Sequence, residues 1–141
     1  MQVDEMKKRF VEEVKLRAYD DKYIDAKEEK EILQIAIGQG ITVDSARSAL
    51  LQVCETNDYV VETAVLRDLK ELLDTFQAGD GVISHKEFTD TLTTAKKKTK
   101  GKRTEQQCKR MIIEIIEENN WHTKQGFFDH WYNAVKKEIG M

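Results

Sequence analysis

The chain of 141 residues contains no proline and two cysteines, and each scarcity excludes a class of protein. Average chains carry about 5% proline, so its absence argues against collagen-like, proline-rich and many-turned β-sandwich proteins. Two cysteines are too few for a disulfide-stabilised scaffold. Cys54 and Cys108 each lie in an apolar helical pattern. This placement predicts reduced core thiols in an intracellular protein.

Long hydrophobic runs are also missing. The longest apolar stretch, residues 111–116, is far shorter than the roughly 20 residues that a membrane-spanning helix needs. The first residues lack the basic and apolar regions of a secretory signal peptide. We therefore expect a cytoplasmic protein that does not enter the membrane.

Charge is abundant and unevenly distributed. Residues 1–95 hold 12 basic and 20 acidic side chains, a balance of −8, whereas residues 96–141 hold 11 and 6, a balance of +5. The excess is concentrated in a basic segment, residues 96–103, which contains Lys96, Lys97, Lys98, Lys100, Lys102 and Arg103. Such a run is typical of a solvated linker between helices. The alternative is binding of a nucleic-acid backbone through residues 96–110.

Apolar residues follow helical spacing nearly everywhere, which predicts an all-α protein of about seven helices. The first two helices are predicted at about 3–18 and 26–37. Three later helices are predicted to begin at the capping residues Thr42, Ser84 and Thr104, and the fourth helix is predicted to end before Ala78. No segment alternates with period two, although Val60–Val61 and residues 82–83 could pair as very short strands.

An internal repeat stands out from this helical pattern. Residues 21–28 match residues 80–87, an offset of 80 − 21 = 59, which aligns Ile24 with Ile83 and Glu28 with Glu87. Each copy reads as helix, acidic loop, apolar residue, cap and helix. The pattern predicts a tandem helix–loop–helix repeat followed by a C-terminal helical hairpin.

The predicted domain organisation follows from this repeat. The tandem repeat is expected at 1–98, the basic linker at 99–103 and the hairpin at 104–141. We expect the hairpin to pack on the repeat as part of one domain.

The acidic positions of the repeat have an interpretation that needs no metal. Ser84-x-x-Glu87 is a capping box, and Asp25-x-x-Glu28 is close to one. Carboxylates at these positions also interact favourably with the helix dipole.

The second copy resembles the later half of an EF-hand calcium loop, D-G-x-I-x-x-x-E, through Asp80, Gly81, Ile83 and Glu87. The resemblance implies calcium ligands, and the candidates across both copies are Asp21, Asp25, Glu28, Asp80, Ser84 and Glu87. Counting back from Glu87, Phe76 and Ala78 occupy early ligand positions, so the front half lacks ligand oxygens. A calcium sensor is therefore an alternative function.

Residues 18–29, followed by Ile32, Ile35 and the corner at residues 40–42, resemble the TerB-like tellurite-resistance helical family over about 10–95. The resemblance implies an acidic helical module, sometimes metal-binding, in bacterial-type multi-protein stress-response systems. Lys22 replaces the glycine expected in the family pattern.

Catalytic motifs are missing from the sequence. The histidines, His85, His122 and His130, are not part of an H-E-x-x-H motif and do not adjoin a plausible nucleophile. We predict that the protein is not an enzyme and needs no cofactor.

Aromatic residues gather near the C-terminus. Residues 121–132 contain 5 of the 11 aromatics. Helical spacing assigns most of them to the core, but the excess predicts a partner-binding surface at Trp121, Phe127 and Trp131. Together with the basic segment, this surface predicts a protein-interaction or adaptor module whose partner presents an acidic or apolar surface.

Overall fold

The computed structural model describes residues 3–19, 21–126 and 129–141, and their fold is all-α with seven helices, as predicted. The elements are α1 Val3–Arg17, β1 Tyr23–Ile24, α2 Ala26–Gly38, α3 Val43–Thr56, β2 Val60–Val61, α4 Glu62–Asp80, α5 His85–Lys98, α6 Glu105–Glu118 and α7 Trp131–Glu138. Every helix in the described ranges is too short or too polar to cross a lipid bilayer.

The chain forms two compact units, Met1–Thr63 and Ala64–Met141, here called the first and second units. The division after Thr63 differs in position from the boundaries at 98 and 104 that the sequence predicts. Those domain boundaries stay a prediction. Each unit has its own buried apolar residues. Those of the first unit include Phe10, Val14, Ile32 and Leu50, and those of the second include Leu69, Phe88, Ile112 and Ile116.

The short strands pair differently from the sequence expectation. β1 pairs with β2 in parallel, with Ile24 opposite Val61. In the second unit, Ile83 forms a parallel bridge with Thr123. The suggested pairing of Val60–Val61 with residues 82–83 is therefore wrong, because each acidic loop finds its strand partner within its own unit.

The predicted repeat, which aligns position 21 with position 80, extends to individual hydrogen bonds. Asp21 Oδ1 accepts from the Tyr23 N–H at 3.1 Å, and Asp80 Oδ1 accepts from the Val82 N–H at 3.2 Å. Each loop then reaches a fully buried isoleucine, Ile24 or Ile83, and a helix cap.

A second repeat, not detected in the sequence, relates α3 to α6 by aligning position 42 with 104 and position 57 with 119. Thr42 and Thr104 cap the two helices with their side chains. At the other ends, Asn57 Nδ2 donates to the Val53 carbonyl at 2.8 Å, and Asn119 Nδ2 donates to the Ile115 carbonyl at 2.7 Å. The two units therefore repeat a larger pattern of paired helix–loop segments.

The fourth helix is longer than expected. The sequence predicts an end before Ala78, but the helix continues to Asp80. Gly81 ends it, because this residue adopts φ 82° while its N–H donates to the Gln77 carbonyl at 2.7 Å. Ala78 and Gly79 are exposed, so the core places no demand on the helix to stop earlier.

Candidate functional site

Four of the six candidate calcium ligands are engaged in helix capping, and Asp21 and Asp80 accept hydrogen bonds within the loops. Asp25 Oδ1 accepts from the Glu28 N–H at 2.8 Å, and Glu28 Oε1 accepts from the Asp25 N–H at 3.2 Å. Ser84 and Glu87 form the same reciprocal pair at 3.1 and 2.9 Å. Both are complete capping boxes, so the structure gives these acidic positions a role in starting α2 and α5.

The described residues of the acidic loops do not gather a ligand cluster. Within the described residues, no group of three or more histidine, cysteine, aspartate or glutamate side chains is placed to hold a metal ion. Burial raises the pKa of Glu28, although the Asp25 N–H acts in the opposite direction. The carboxylates of Asp25 and Asp21 raise that pKa further.

The basic segment is partly neutralised by ion pairs within the second unit. Lys96 Nζ lies 3.1 Å from Glu105 Oε1, and Lys98 Nζ lies 3.1 Å from Asp68 Oδ2. Residues 96–98 form the last turn of α5, where positive charge interacts favourably with the helix dipole. Lys97 and Lys102 are exposed. The basic segment thus comprises the last turn of α5 and most of the connection between α5 and α6.

Of the aromatic contact residues predicted near the C-terminus, the structure describes Trp121 and Trp131, and neither is fully exposed. Trp131 is only 4% exposed, and its indole Nε1–H donates to the Lys124 carbonyl at 2.7 Å. The His85 ring stacks on Trp131 with centroids 5.1 Å apart. Trp121 is half-buried, and Phe127 lies outside the described residues. Trp131 therefore serves the core of the second unit.

The C-terminal hairpin is held by polar contacts between α6 and α7. Lys136 Nζ lies 2.7 Å from Glu117 Oε1, and the Tyr132 hydroxyl donates to the same oxygen at 2.9 Å. These two contacts lower the pKa of Glu117. Arg110 Nη2 donates to the Ile139 carbonyl at 2.6 Å, which satisfies a free acceptor at the end of α7.

A buried carboxylate in the first unit was missed by the sequence reasoning. Glu29 is 5% exposed, and its Oε2 accepts from the Thr63 hydroxyl at 2.5 Å. Arg47 Nε lies 3.8 Å from the other oxygen. Burial, and then the charge of Glu29, raise the pKa of the nearby Cys54 thiol to about 11. The sequence repeat could have indicated that Glu29 is buried, because Glu29 aligns with the apolar Phe88 of the second copy.

The first unit has a groove of about 630 Å³ between α1 and α3. Its apolar lining includes Val11, Ala49 and Val53, and its polar lining includes serine, threonine, glutamine and asparagine side chains. Charge is carried in the described lining by Lys15 and Asp44. The described lining contains no histidine or cysteine, and its serine, threonine, glutamine and asparagine side chains offer hydrogen bonds beside the apolar contacts.

The C-terminal end of α1 adds exposed apolar surface to the first unit. Leu16, in α1, is 71% exposed, and Tyr19, just after the helix, is 77% exposed. The two residues are three apart, and the Tyr19 N–H donates to the Leu16 carbonyl at 3.4 Å, so the helical turn continues between them. The end of α1 therefore presents apolar side chains in addition to those in the groove.

Comparison of the chain with protein-family models, with curated proteins and with solved structures gave no significant match.

Proposed function

We propose that the protein is a non-enzymatic protein-interaction module and that its first unit carries the contact surface. The observation that supports this best is the α1–α3 groove of about 630 Å³. Its lining combines apolar side chains with hydroxyl and amide groups, which suits recognition without chemistry.

The exposed residues Leu16 and Tyr19 support the same proposal. They lie at the end of α1, the helix that also contributes Val11 and Lys15 to the groove. Apolar side chains left in water at neighbouring positions favour burial against a partner. The contact surface is thus proposed on α1 and α3, and buried Trp131 is no longer part of it.

The wider setting is proposed from sequence resemblance alone. The TerB-like pattern around Asp21, Asp25 and Glu28 favours an adaptor in a bacterial-type multi-protein stress-response system. In this proposal the acidic loops stabilise the helices and the groove recognises the partner.

Photo-crosslinking tests the proposed function. A photoreactive amino acid is placed at Gln52, in the groove, and in a matched chain at Thr93, which is exposed on α5. Both full-length chains are expressed in the cell of origin and irradiated. We expect a discrete protein adduct from position 52 and none from position 93. The proposal fails if position 52 gives no protein adduct, or gives only the adducts seen from position 93.

A further inference from the structure

The groove face of α3 carries smaller side chains than the aligned positions of its counterpart α6. When Thr42 is aligned with Thr104, Ser48 replaces Arg110, Ala49 replaces Met111 and Val53 replaces Ile115. Met111 and Ile115 are buried in the second unit. The aligned side chains of α6 are thus larger and, at Met111 and Ile115, buried, whereas Ala49 and Val53 line the groove of the first unit.

The same comparison shows that this face of α3 carries less charge than the aligned face of α6. Gln52 and Thr56 stand where α6 has Glu114 and Glu118, and Ser48 stands where α6 has Arg110. The face from Ser48 to Thr56 that lines the groove is uncharged, in a chain with 35% charged residues. A charged group buried against such a wall would lose hydration without gaining a partner. The wall is thus complementary to an uncharged face.

The shape of the groove favours a helical occupant. On α3 its lining forms two rows with a spacing of four residues, 44, 48, 52, 56 and 45, 49, 53, 57. Rows with this spacing form ridges on a helix surface, and a second helix packs its own side chains into the furrow between two such ridges. They extend for about 20 Å, at 1.5 Å per residue, which matches a helix of about four turns. The small side chains Ser45, Ser48 and Ala49 permit a close approach.

Building on the proposed function, we propose that this groove receives an amphipathic α-helix of a partner protein, about four turns long, whose inserted face is apolar and uncharged. Charge complementarity decides the class of occupant. The described lining has one charge of each sign, Lys15 and Asp44, at positions outside the neutral face. It therefore offers neither a cationic nor an anionic track for a highly charged segment.

Synthetic peptides test the inference directly. Three labelled helical peptides of about 16 residues share one leucine stripe and differ in the residues that flank it, which are glutamine, lysine or glutamate. Their binding to the full chain is measured by fluorescence anisotropy. We expect the glutamine-flanked peptide to bind most tightly. Equal binding of a charged peptide, or binding of none of the three, would overturn the inference.

A filled-groove variant supplies the second arm. The triple substitution S48R/A49M/V53I installs the residues of α6, and T89R/T93M is the control on the exposed side of α5. Circular dichroism checks that both remain folded. We expect the filled-groove variant to bind the glutamine-flanked peptide about tenfold or more weakly than the unmodified chain does. The control variant should bind this peptide with unchanged affinity. Unchanged affinity in the filled-groove variant contradicts the inference.

The crosslinked partner separates the two proposals. If the position 52 adduct maps to a helical segment with an uncharged apolar face, and the filled groove abolishes the adduct, both stand. If the adduct persists in the filled-groove variant, or maps to a highly charged segment, the protein-interaction function stands and the helix inference fails. If position 52 gives no adduct, the proposed function itself fails.

Discussion

Lys22 and Gly81 occupy the same position in two copies of one turn, and both have left-handed backbone conformations, with φ of 55° and 82°. Each follows an aspartate whose side chain accepts a hydrogen bond from the backbone N–H two residues later. The repeat therefore requires a positive φ at this position, whichever side chain occupies it.

Substitution of Lys22 by glycine should stabilise the protein. A non-glycine residue in the left-handed region costs about 1–2 kcal/mol, and glycine recovers part of this at an entropic cost, so we expect a net gain of about 0.5–1 kcal/mol. Urea denaturation of K22G measures the gain. The matched variant G81K should lose stability, because lysine at this position would have to adopt the left-handed conformation. A steric clash would not contribute to the loss, since a Cβ at Gly81 meets no atom within 4 Å. A less stable K22G would refute the explanation.

The hydroxyl of Thr63 should stabilise the buried Glu29 carboxylate. Replacing Thr63 by valine keeps the shape but removes the donor at 2.5 Å. We expect a loss of about 1–3 kcal/mol, because an unsatisfied buried polar group costs this much. Thermal or urea unfolding measures the loss. T63S, which retains a hydroxyl, should lose clearly less; equal losses in the two variants would mean that the hydrogen bond is not responsible.

Glu28 should make stability depend on pH in an unusual direction for a carboxylate. Its pKa is raised in the folded protein, chiefly by burial, so the folded state holds this proton more tightly than the unfolded state. Stability from this group is therefore present at low pH and is lost as the pH rises through the raised pKa.

The variant E28Q tests this sign. Its amide oxygen can still accept from the Asp25 N–H, as the Gln107 oxygen accepts from the Thr104 N–H at 2.8 Å in the third capping box. We expect E28Q to gain stability relative to the wild type between about pH 4 and about pH 7. Urea unfolding at both pH values measures the difference. A difference that is constant or falls with pH would contradict the assignment.

The His85 ring should protect Trp131 from water. His85 stacks on the indole with planes 4° apart, and Phe88 packs on it with centroids 5.2 Å apart. In a W121F background, H85A should shift the Trp131 emission to the red and lower stability by about 0.5–1.5 kcal/mol, the value of an aromatic pair. H85F keeps a ring at this position and should leave both quantities close to the parent. An unshifted spectrum in H85A would show that the stack does not shield Trp131.

The fold class, and the first of the two repeats, which aligns position 21 with position 80, could be predicted from the sequence for a physical reason. Apolar residues such as Phe10 and Val14 recur with helical spacing, and burial then enforces the helix. The capping boxes at Asp25 and Ser84 are local hydrogen bonds between residues three apart, so their sequence signature is short and complete.

The remaining features depend on distant residues. Two-residue strands such as Val60–Val61 have no room for an alternating pattern, so their partners are decided by tertiary packing. The α3–α6 repeat rests on isolated caps, Thr42 with Thr104 and Asn57 with Asn119, at a different offset from the first repeat. The groove lies between two helices that are distant in the sequence, with Val11 on one wall and Ala49 and Val53 on the other, so a stripe of apolar residues in either helix does not reveal it.

The two repeats have different offsets, and the difference locates a permissive point in the chain. Ala36 aligns with Ala95 in the first repeat, whereas Thr42 aligns with Thr104 in the second, so the second unit is longer between these positions. The added length falls at the end of α5 and in its connection to α6, which is longer than the connection from α2 to α3. Both sides keep their equivalent caps and buried helices despite it. Thr99 at the start of this connection is buried and Thr104 at its end caps α6, whereas residues 100–102 are exposed. An epitope tag or fluorescent reporter inserted within residues 100–102 should accordingly leave both neighbouring helices intact.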